Sequence, residues 1–362
     1  MFYRAIGLMS GSSMDGLDIV FAEFTETGGQ WSYEIKAAEC YSFSDEWAQQ
    51  LRNAATLGAC DYLLLHTAFG KYLGEQVNRF ITANKLHHQV QLIASHGHTV
   101  FHAPARGMTA QLGDGAAIAA ETGINVVSDL RAMDVALGGQ GAPIVPVGEK
   151  LLFSQFPLLL NIGGIANISI RSAVRYIAFD ICPANRVLNL LAARAGKSYD
   201  DQGQIAASGE VRPELLTRLN ELPYYAQPYP KSLPNQFGTD VVFPMLAAEK
   251  TKDALATYVQ HIARQVRNAI EPLLSVLPQN CQLLVTGGGA YNSHLVKSIS
   301  AELQPFGIEV IVPEKRIIEY KEALVMALLG VLRWREQNTV LASVTGARRD
   351  SIGGAVWVGQ EA

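Results

Sequence analysis

Two glycine-containing turns, each placed between two apolar segments of strand length, constrain the fold of this chain more than any other feature. The first segment, YRAIGLM, leads through the turn GSSMDG into LDIVFAEF, which alternates as a second strand. The second, FPLLLNIGGIANISI, repeats this order, and a third strand candidate and a helical run follow each pair. The pattern predicts two related α/β halves that face each other across a cleft, although their similarity is one of architecture and not of sequence.

The division between the halves is expected near residues 143–157, because no low-complexity linker marks it elsewhere. The chain of 362 residues is long enough for two domains. We predict an N-terminal lobe over residues 1–145, completed by a C-terminal segment of about residues 340–362. A C-terminal lobe is predicted over residues 146–340.

Composition narrows the class of protein. With 29 Lys and Arg against 33 Asp and Glu, the net charge is −4, which argues against nucleic acid as a partner. No run approaches the ~18 apolar residues of a membrane span. The four cysteines are widely scattered, as is typical of reduced thiols in a cytoplasmic protein. We therefore predict a cytoplasmic protein with no membrane partner.

The first turn carries groups that could bind an anion. Its residues are Gly11, Ser12, Ser13, Met14, Asp15 and Gly16. Glycines allow close approach of the backbone, and successive N–H groups with hydroxyls form a phosphate-binding nest. Asp15 and Asp18 could orient a hydrated cation. An ordinary hairpin whose polar side chains bond their own backbone is an equally good reading of the string.

Two further glycine turns suggest nucleotide contacts. Gly163-Gly164 alone is more typical of a simple hairpin, but paired with the first turn it would form the second half of a phosphate clamp. In TGGGAYN, a strand leads through Gly287, Gly288 and Gly289 toward Asn292 and a helix. These glycines would allow an adenine ring to lie against the backbone, and a plain strand-to-helix turn is the alternative.

A few charged and polar side chains are candidates for catalysis and substrate binding. Asp180 is predicted at the end of a strand, where a carboxylate suits a general base or, alternatively, caps the following helix. Arg131 offers a fork for a substrate carboxylate or hydroxyls, or makes a surface salt bridge. Glu322 could line a cleft, although it also suits the start of a helix.

Three familiar motifs are excluded or weak. TGGGAYN lacks the last glycine of the dinucleotide fingerprint, and RAGKS lacks the first glycine of a P-loop. His96, His98 and His102 alternate along a strand, but no HExxH or cysteine cluster joins them as zinc ligands. We expect these histidines to hydrogen-bond locally or to line the substrate cleft.

Taken together, these strings resemble the sugar kinase, heat-shock-70 and actin superfamily, and more closely the anhydro-N-acetylmuramic acid kinase family. The resemblance runs along nearly the whole chain, through GLMSGSSMDGLD, SHGHTVFH, VVSDLRAMDVALGGQGAPIVP, LLLNIGGIANIS, FDICPAN, DDQGQIAASGEV, PKS, TGGGAYN, KEALVMALLG and SVTGA. It implies two ribonuclease-H-like (actin-like ATPase) domains with ATP and Mg²⁺ in the cleft between them.

The resemblance also implies a reaction and residue roles. ATP would phosphorylate the 6-oxygen of 1,6-anhydro-N-acetylmuramic acid while water opens the anhydro ring, in cell-wall recycling. Asp180 would activate the water, and Arg131, Glu322 and His96 would face the sugar. The nucleotide would be held by Gly11, Ser12, Ser13, Met14, Asp15, Gly16, Leu17, Asp18, Gly163, Gly164, Gly287, Gly288, Gly289 and Asn292. Asp15 and Asp18 are the candidate Mg²⁺ ligands, and a homodimer is expected.

One motif departs from the family pattern. The usual FDTGPGN is FDICPAN here, so Ile181, Cys182 and Ala184 replace a threonine and two glycines beside the candidate base. These replacements keep open the alternative of a family member that senses nucleotide or muropeptide without catalysis. Altered strings on the sugar side, with His98 in place of the usual glutamine and PKSLPNQF in place of a PKSTGRE-like string, keep open a kinase for another amino sugar.

Overall fold

A computed structural model describes residues 1–11, 14, 16–172, 176–229, 231–234 and 236–359. The chain forms two compact units, Met1–Phe153 with Tyr320–Ala362, and Ser154–Glu319. The sequence-based boundaries were 145 and 340; in the structure the second unit begins at Ser154 and the chain returns to the first at Tyr320. This return lies inside a helix, so no break in composition marks it.

The first unit begins with three long strands. Its elements are β1 (Phe2–Ser10), β2 (Gly16–Thr27), β3 (Gln30–Ser42), α1 (Asp45–Asn53), α2 (Ala59–Ala83), β4 (Leu92–Ser95), β5 (His98–Ala103), β6 (Met108–Leu112), α3 (Gly115–Thr122), β7 (Val126–Ser128), α4 (Ala132–Ala136) and α5 (Pro146–Leu152). The helical run that follows the first three strands is divided into two α-helices, α1 and α2. Gly58, in an extended conformation, begins the second.

The second unit repeats the opening of the first. Its elements are β8 (Leu158–Ile162), β9 (Ile165–Arg171), β10 (Tyr176–Pro183), α6 (Asn185–Ala193), α7 (Gln204–Ala207), α8 (Pro213–Asn220), α9 (Phe243–Leu246), α10 (Thr251–Ile270), β11 (Gln282–Thr286), α11 (Ser293–Leu303) and β12 (Glu309–Ile311). The chain then continues through α12 (Lys315–Trp334), α13 (Ala342–Thr345) and β13 (Ala355–Trp357).

Five strands of each main sheet follow the same order, and the first sheet has β13 as a sixth strand at its edge. In the first unit the order is β13-β7-β4-β1-β2-β3, and in the second it is β10-β9-β8-β11-β12. In each, the first three strands pair antiparallel and the next strand pairs parallel to the first. This is the order of a ribonuclease-H-like fold, which confirms the predicted α/β architecture of two related units.

The alternation along β2 explains how the first unit is packed. Leu17 and Ile19 point into the core between the sheet and α2. The opposite face of the sheet is covered by α12, which approaches so closely that a Cβ atom on Gly7 would overlap the carbonyl oxygen of Ala323. A glycine at position 7 is therefore required by this helix, since any side chain would push it away.

Candidate active site

The first glycine turn joins β1 to β2 in the first unit. Met14 has a positive φ of 57° and its N–H donates to the Gly11 carbonyl at 3.3 Å, which closes the turn. Ser12, Ser13 and Asp15 lie outside the described residues. A Cβ on Gly16 would lie 2.7 Å from the Tyr41 carbonyl oxygen, so close strand pairing already requires this glycine.

The other two residues predicted for this turn differ in their surroundings. Leu17 is 1% exposed and belongs to the core, so only its backbone is available to a ligand. Asp18 is half-buried and pairs with Met9. It therefore lies on the face of the sheet that α12 covers. Within the described residues, no group of three or more His, Cys, Asp or Glu side chains is placed to hold a metal ion.

Arg131 and His96 are brought together in the first unit. The Arg131 Nε–H donates to His96 Nε2 at 2.9 Å, and Arg131 Nη1 donates to the Gly141 carbonyl at 2.6 Å. His96 Nδ1 in turn lies 2.8 Å from the Gly97 carbonyl. These contacts assign the Nδ1–H tautomer, because Nε2 must accept from arginine. The histidine thus contacts the guanidinium directly and fixes its plane.

Burial sets the charges of this group. It lowers the pKa of His96 to about 3, with the Arg131 charge acting in the same direction, so this imidazole is neutral at pH 7. Burial also lowers the pKa of Arg131 to about 10, against the charges of Glu322 and Asp134, and the guanidinium remains charged. Burial raises the pKa of Glu322 above its ordinary value, and the charges of Lys321 and Arg131 oppose this shift. Of the three predicted sugar-binding residues, His96 and Glu322 therefore both interact with Arg131.

A buried aspartate holds the loop that carries the Gly141 carbonyl. Asp134 is 0% exposed, accepts from the Gly141 N–H at 2.7 Å, and accepts from the Thr345 hydroxyl at 2.7 Å. The Gln140 N–H donates to the Thr345 carbonyl at 2.9 Å. Asp134 lies three residues after Arg131 in the sequence, whereas Thr345 lies in the distant SVTGA string. This network positions the carbonyl that fixes Arg131.

The remaining histidines of the SHGHTVFH string form local hydrogen bonds. His98 Nδ1 lies 3.0 Å from the hydroxyl of Ser10, at the end of β1, and His102 Nδ1 lies 3.1 Å from the hydroxyl of Thr109. These contacts agree with the expectation of local hydrogen bonding.

The second glycine turn, between β8 and β9, is closed by the start of α6. The Ala184 and Arg186 N–H groups donate to the Gly164 carbonyl, and the Asn185 N–H donates to the Gly163 carbonyl at 3.0 Å. The Gly163 N–H donates to the Ile165 carbonyl at 3.2 Å. These four amides are therefore already engaged, so the turn offers fewer free donors than a phosphate nest requires.

The third glycine turn follows β11 in the same unit. Gly287 has a φ of 78°, and a Cβ there would lie 2.6 Å from Asn161 Oδ1. A Cβ on Gly289 would overlap the side chain of Ile162, whereas a Cβ on Gly288 would meet only Asn185 Nδ2 at 3.6 Å. Packing against β8 thus requires the outer two glycines, and Gly288 is the one with an open face.

A cavity of about 490 Å³ opens beside Gly288. Its lining includes Asn185, Tyr199, Gly288, Tyr291 and Asn292. Asn292 also caps α11, because its Oδ1 accepts from the Leu295 N–H at 3.0 Å. The cavity therefore contains two of the residues predicted to contact the nucleoside, and its aromatic and amide side chains suit a flat polar ring.

Asp180 does not end its strand as the sequence suggested. The strand β10 continues to Pro183, and its register against β9 shifts just after Asp180, where Ile181 is the extra residue of a bulge. The N–H of the half-buried Asp180 donates to the Lys231 carbonyl at 3.2 Å. α6 begins only at Asn185, so Asp180 is not its capping residue.

The segment 231–233 holds the Asp180 carboxylate. The Leu233 N–H donates to Asp180 Oδ2 at 2.9 Å, and the Tyr224 hydroxyl donates to the Asp180 carbonyl at 2.6 Å. Burial raises the pKa of Asp180 and the Leu233 hydrogen bond opposes this shift. This burial is not visible in the local string. Among the described residues, only Leu233 donates to this carboxylate, so Oδ1 can accept a proton.

The replaced residues beside Asp180 are buried. Cys182 is 0% exposed and Ile181 is 3% exposed, and both belong to the core of the second unit. Burial raises the pKa of the Cys182 thiol, so this residue serves as packing and not as a nucleophile. The FDICPAN substitutions are therefore buried in the core of the second unit.

Comparison with known proteins decides the family. A sequence model described as anhydro-N-acetylmuramic acid kinase matches residues 3–359. The chain belongs to the anhydro-N-acetylmuramic acid kinase family. The family member of this name from Haemophilus influenzae is 33% identical, covering 97% of each chain. The one from Coxiella burnetii is 34% identical, covering 99% of this chain and 98% of its own.

Solved structures resemble the chain more distantly. An activator of the 2-hydroxyisocaproyl-CoA dehydratase from Clostridium difficile is 16% identical, covers 92% of this chain and has a TM-score of 0.45. The fold of this kinase-family member is identified by its own strand order.

No described helix is both long and apolar enough to cross a membrane.

Proposed function

We propose that the protein uses ATP to phosphorylate 1,6-anhydro-N-acetylmuramic acid and opens its anhydro ring with water, giving N-acetylmuramic acid 6-phosphate and ADP. The observation that carries this proposal is the Asp180 carboxylate, half-buried and held through one oxygen, in a chain that matches the kinase family over residues 3–359. A carboxylate in this arrangement suits a general base.

The proposed chemistry begins at Asp180 Oδ1, which accepts a proton from the attacking water. The water oxygen forms a bond to C1 of the sugar, and the bond between C1 and the 6-oxygen breaks. The released 6-oxygen attacks the γ-phosphorus of ATP, and ADP leaves. Because the Leu233 N–H occupies Oδ2, the proton is directed to Oδ1.

The nucleotide is proposed to lie against the glycine turns. The backbone from Gly11 to Asp18 and the Gly163-Gly164 turn would contact phosphate, and Gly288 with Asn292 would contact the nucleoside in the 490 Å³ cavity. Gly287 and Gly289 support this surface through packing. Asp15 and Asp18 would supply carboxylate oxygens, which are the hard ligands that Mg²⁺ prefers. Bound Mg²⁺ would neutralise phosphate charge during transfer.

The sugar is proposed to contact Arg131 and Glu322. Among the described residues, the Arg131 guanidinium uses Nε and one Nη1 hydrogen, which leaves Nη2 for a substrate oxygen. Glu322 can accept from a sugar hydroxyl. His96 acts through Arg131, since its Nε2 accepts from that guanidinium. We also propose a cytoplasmic homodimer that serves cell-wall recycling.

The test measures ADP release by the purified protein with ATP and Mg²⁺, alone, with the anhydro sugar, and with N-acetylmuramic acid. We expect release that depends on the anhydro sugar, and a product that carries one phosphate and one added water by mass spectrometry. Equal release with N-acetylmuramic acid would overturn the ring-opening step. Nucleotide binding without release with either sugar would favour a sensor or another amino sugar.

A further inference from the structure

Arg186 is a cation without an internal partner beside the second glycine turn. Its Nε atom is buried and has no hydrogen-bond partner, and within the described residues its guanidinium makes no ion pair. Arg194, at the other end of the same helix, instead donates to the Leu246 and Glu249 carbonyls. A buried donor left without a partner is costly, so Arg186 calls for an explanation outside packing.

The position of this side chain is defined by Gly164. A Cβ built on Gly164 would lie 3.8 Å from Arg186 Nε and 3.9 Å from Arg186 Nη2. The guanidinium therefore lies beside the Gly163-Gly164 turn, within van der Waals contact of the Cβ position of Gly164. The Arg186 N–H, by contrast, donates back to the Gly164 carbonyl at 3.3 Å. Backbone and side chain are thus both fixed to this turn.

The turn itself has few amides left for a phosphate. The amides of Gly163, Ala184, Asn185 and Arg186 donate within the protein, so neither the turn nor the start of α6 presents a row of free N–H groups. Positive charge at this place would come from a side chain. A guanidinium is suited to it, because its planar fork binds two phosphate oxygens and stays charged at any working pH.

We propose that Arg186 binds a phosphate group of the nucleotide at the Gly163-Gly164 turn. This inference rests on the proposed function, since it assumes that ATP is the phosphate donor, and it assigns a role to a residue that the glycine pattern did not reveal. The half-buried guanidinium would bind a phosphate oxygen through its Nη groups, because the buried Nε has no surface open to a ligand. The carboxylate of a muramic acid derivative has similar chemistry, and the experiment separates these two anions.

The test compares the full-length protein with Arg186→Gln, Arg186→Lys and the control Arg218→Gln, which removes the same charge from an exposed position in α8. Calorimetry measures the Kd of ATP, ADP and adenosine for each. We expect Arg186→Gln to weaken ATP and ADP binding about 10- to 100-fold and to leave adenosine binding unchanged. Arg186→Lys should weaken ATP less, and Arg218→Gln should have no effect.

Several outcomes would overturn this assignment while leaving the proposed function intact. One is an unchanged ATP Kd in Arg186→Gln together with wild-type turnover. Another is an equal loss for adenosine and ATP, which would indicate a packing role. A raised KM for the sugar with an unchanged ATP Kd would assign Arg186 to the sugar carboxylate. Failure of the wild-type protein to bind ATP would instead reject the proposed function itself.

Discussion

Two opposing effects act on the pKa of Asp180. Burial disfavours its charged form, and the Leu233 N–H favours it. Because the net effect is a raised pKa, the folded protein binds a proton at Asp180 more tightly than the unfolded chain does. The ionised form, which is the one a base requires, therefore reduces stability. Catalysis and stability place opposite demands on this side chain.

Asp180→Asn is expected to abolish sugar-dependent ADP release and to raise the melting temperature at pH 7. The amide cannot accept the water's proton, and it removes a buried charge while its oxygen can still accept from the Leu233 N–H. Turnover assays and thermal unfolding measure the two effects, with ATP affinity as the control for folding. Wild-type turnover in this variant would contradict the assignment of Asp180 as the base.

The sequence located Asp180 but not its surroundings. A strand with a carboxylate before a proline and a helical run is visible in the string, whereas the bulge depends on pairing with β9, and the contact of the Asp180 N–H is with the distant Lys231 carbonyl. Arg186 was missed for a related reason. In the string, Arg186 is only one residue of a helical run, and only the fold places its side chain beside Gly164.

At the scale of elements, the three glycines of the third turn differ in what they face. Gly287 and Gly289 were predicted as ligand-contacting residues on the same footing as Gly288. In the structure the outer two face β8, and Gly288 faces the cavity. The strand–turn–helix pattern was predictable because strand length and glycine spacing are local properties. Which glycine faces the cavity depends on sheet pairing between β11 and β8.

The variants Gly287→Ala and Gly288→Ala should therefore differ. Gly287→Ala places a Cβ 2.6 Å from Asn161 Oδ1 at a positive φ, and should lower the free energy of unfolding by about 1–3 kcal/mol. Gly288→Ala should leave stability nearly unchanged and weaken adenosine binding. Urea unfolding and calorimetry provide the measurements. Equal destabilisation by both variants would contradict the separate roles given to these glycines.

At the scale of the whole molecule, two buried histidines link folding to pH. His261, in α10, is 0% exposed, and its ring nitrogens contact Asn220 Oδ1 at 2.8 Å and the Tyr225 hydroxyl at 3.0 Å. Burial lowers its pKa to about 3, as it does for His96. The unfolded chain protonates both near pH 6.5, but the folded protein does not. Stability is therefore lost as the pH falls below about 6.5.

We expect the free energy of unfolding to fall between pH 6.5 and 5 with a slope of at most about 1.4 kcal/mol per pH unit for each buried histidine. His261→Gln should reduce that slope, since glutamine does not titrate. His87→Gln, at an exposed position, should not change it. Urea unfolding at several pH values gives the slope. An unchanged slope in His261→Gln would show that this histidine is not neutral in the folded protein.

The discontinuity of the first unit has a consequence for how the protein is made. Residues 1–153 leave the ribosome long before α12, which covers the sheet face at Gly7 and carries Lys321, the buried partner of Glu149 at 2.6 Å. Until then that face is uncovered and the Glu149 carboxylate lacks its ion pair. The second unit, continuous over 154–319, holds all its own strands earlier. The unit whose synthesis begins first is therefore completed last. Until α12 has been synthesised, its sheet has an uncovered apolar face to which chaperones could bind.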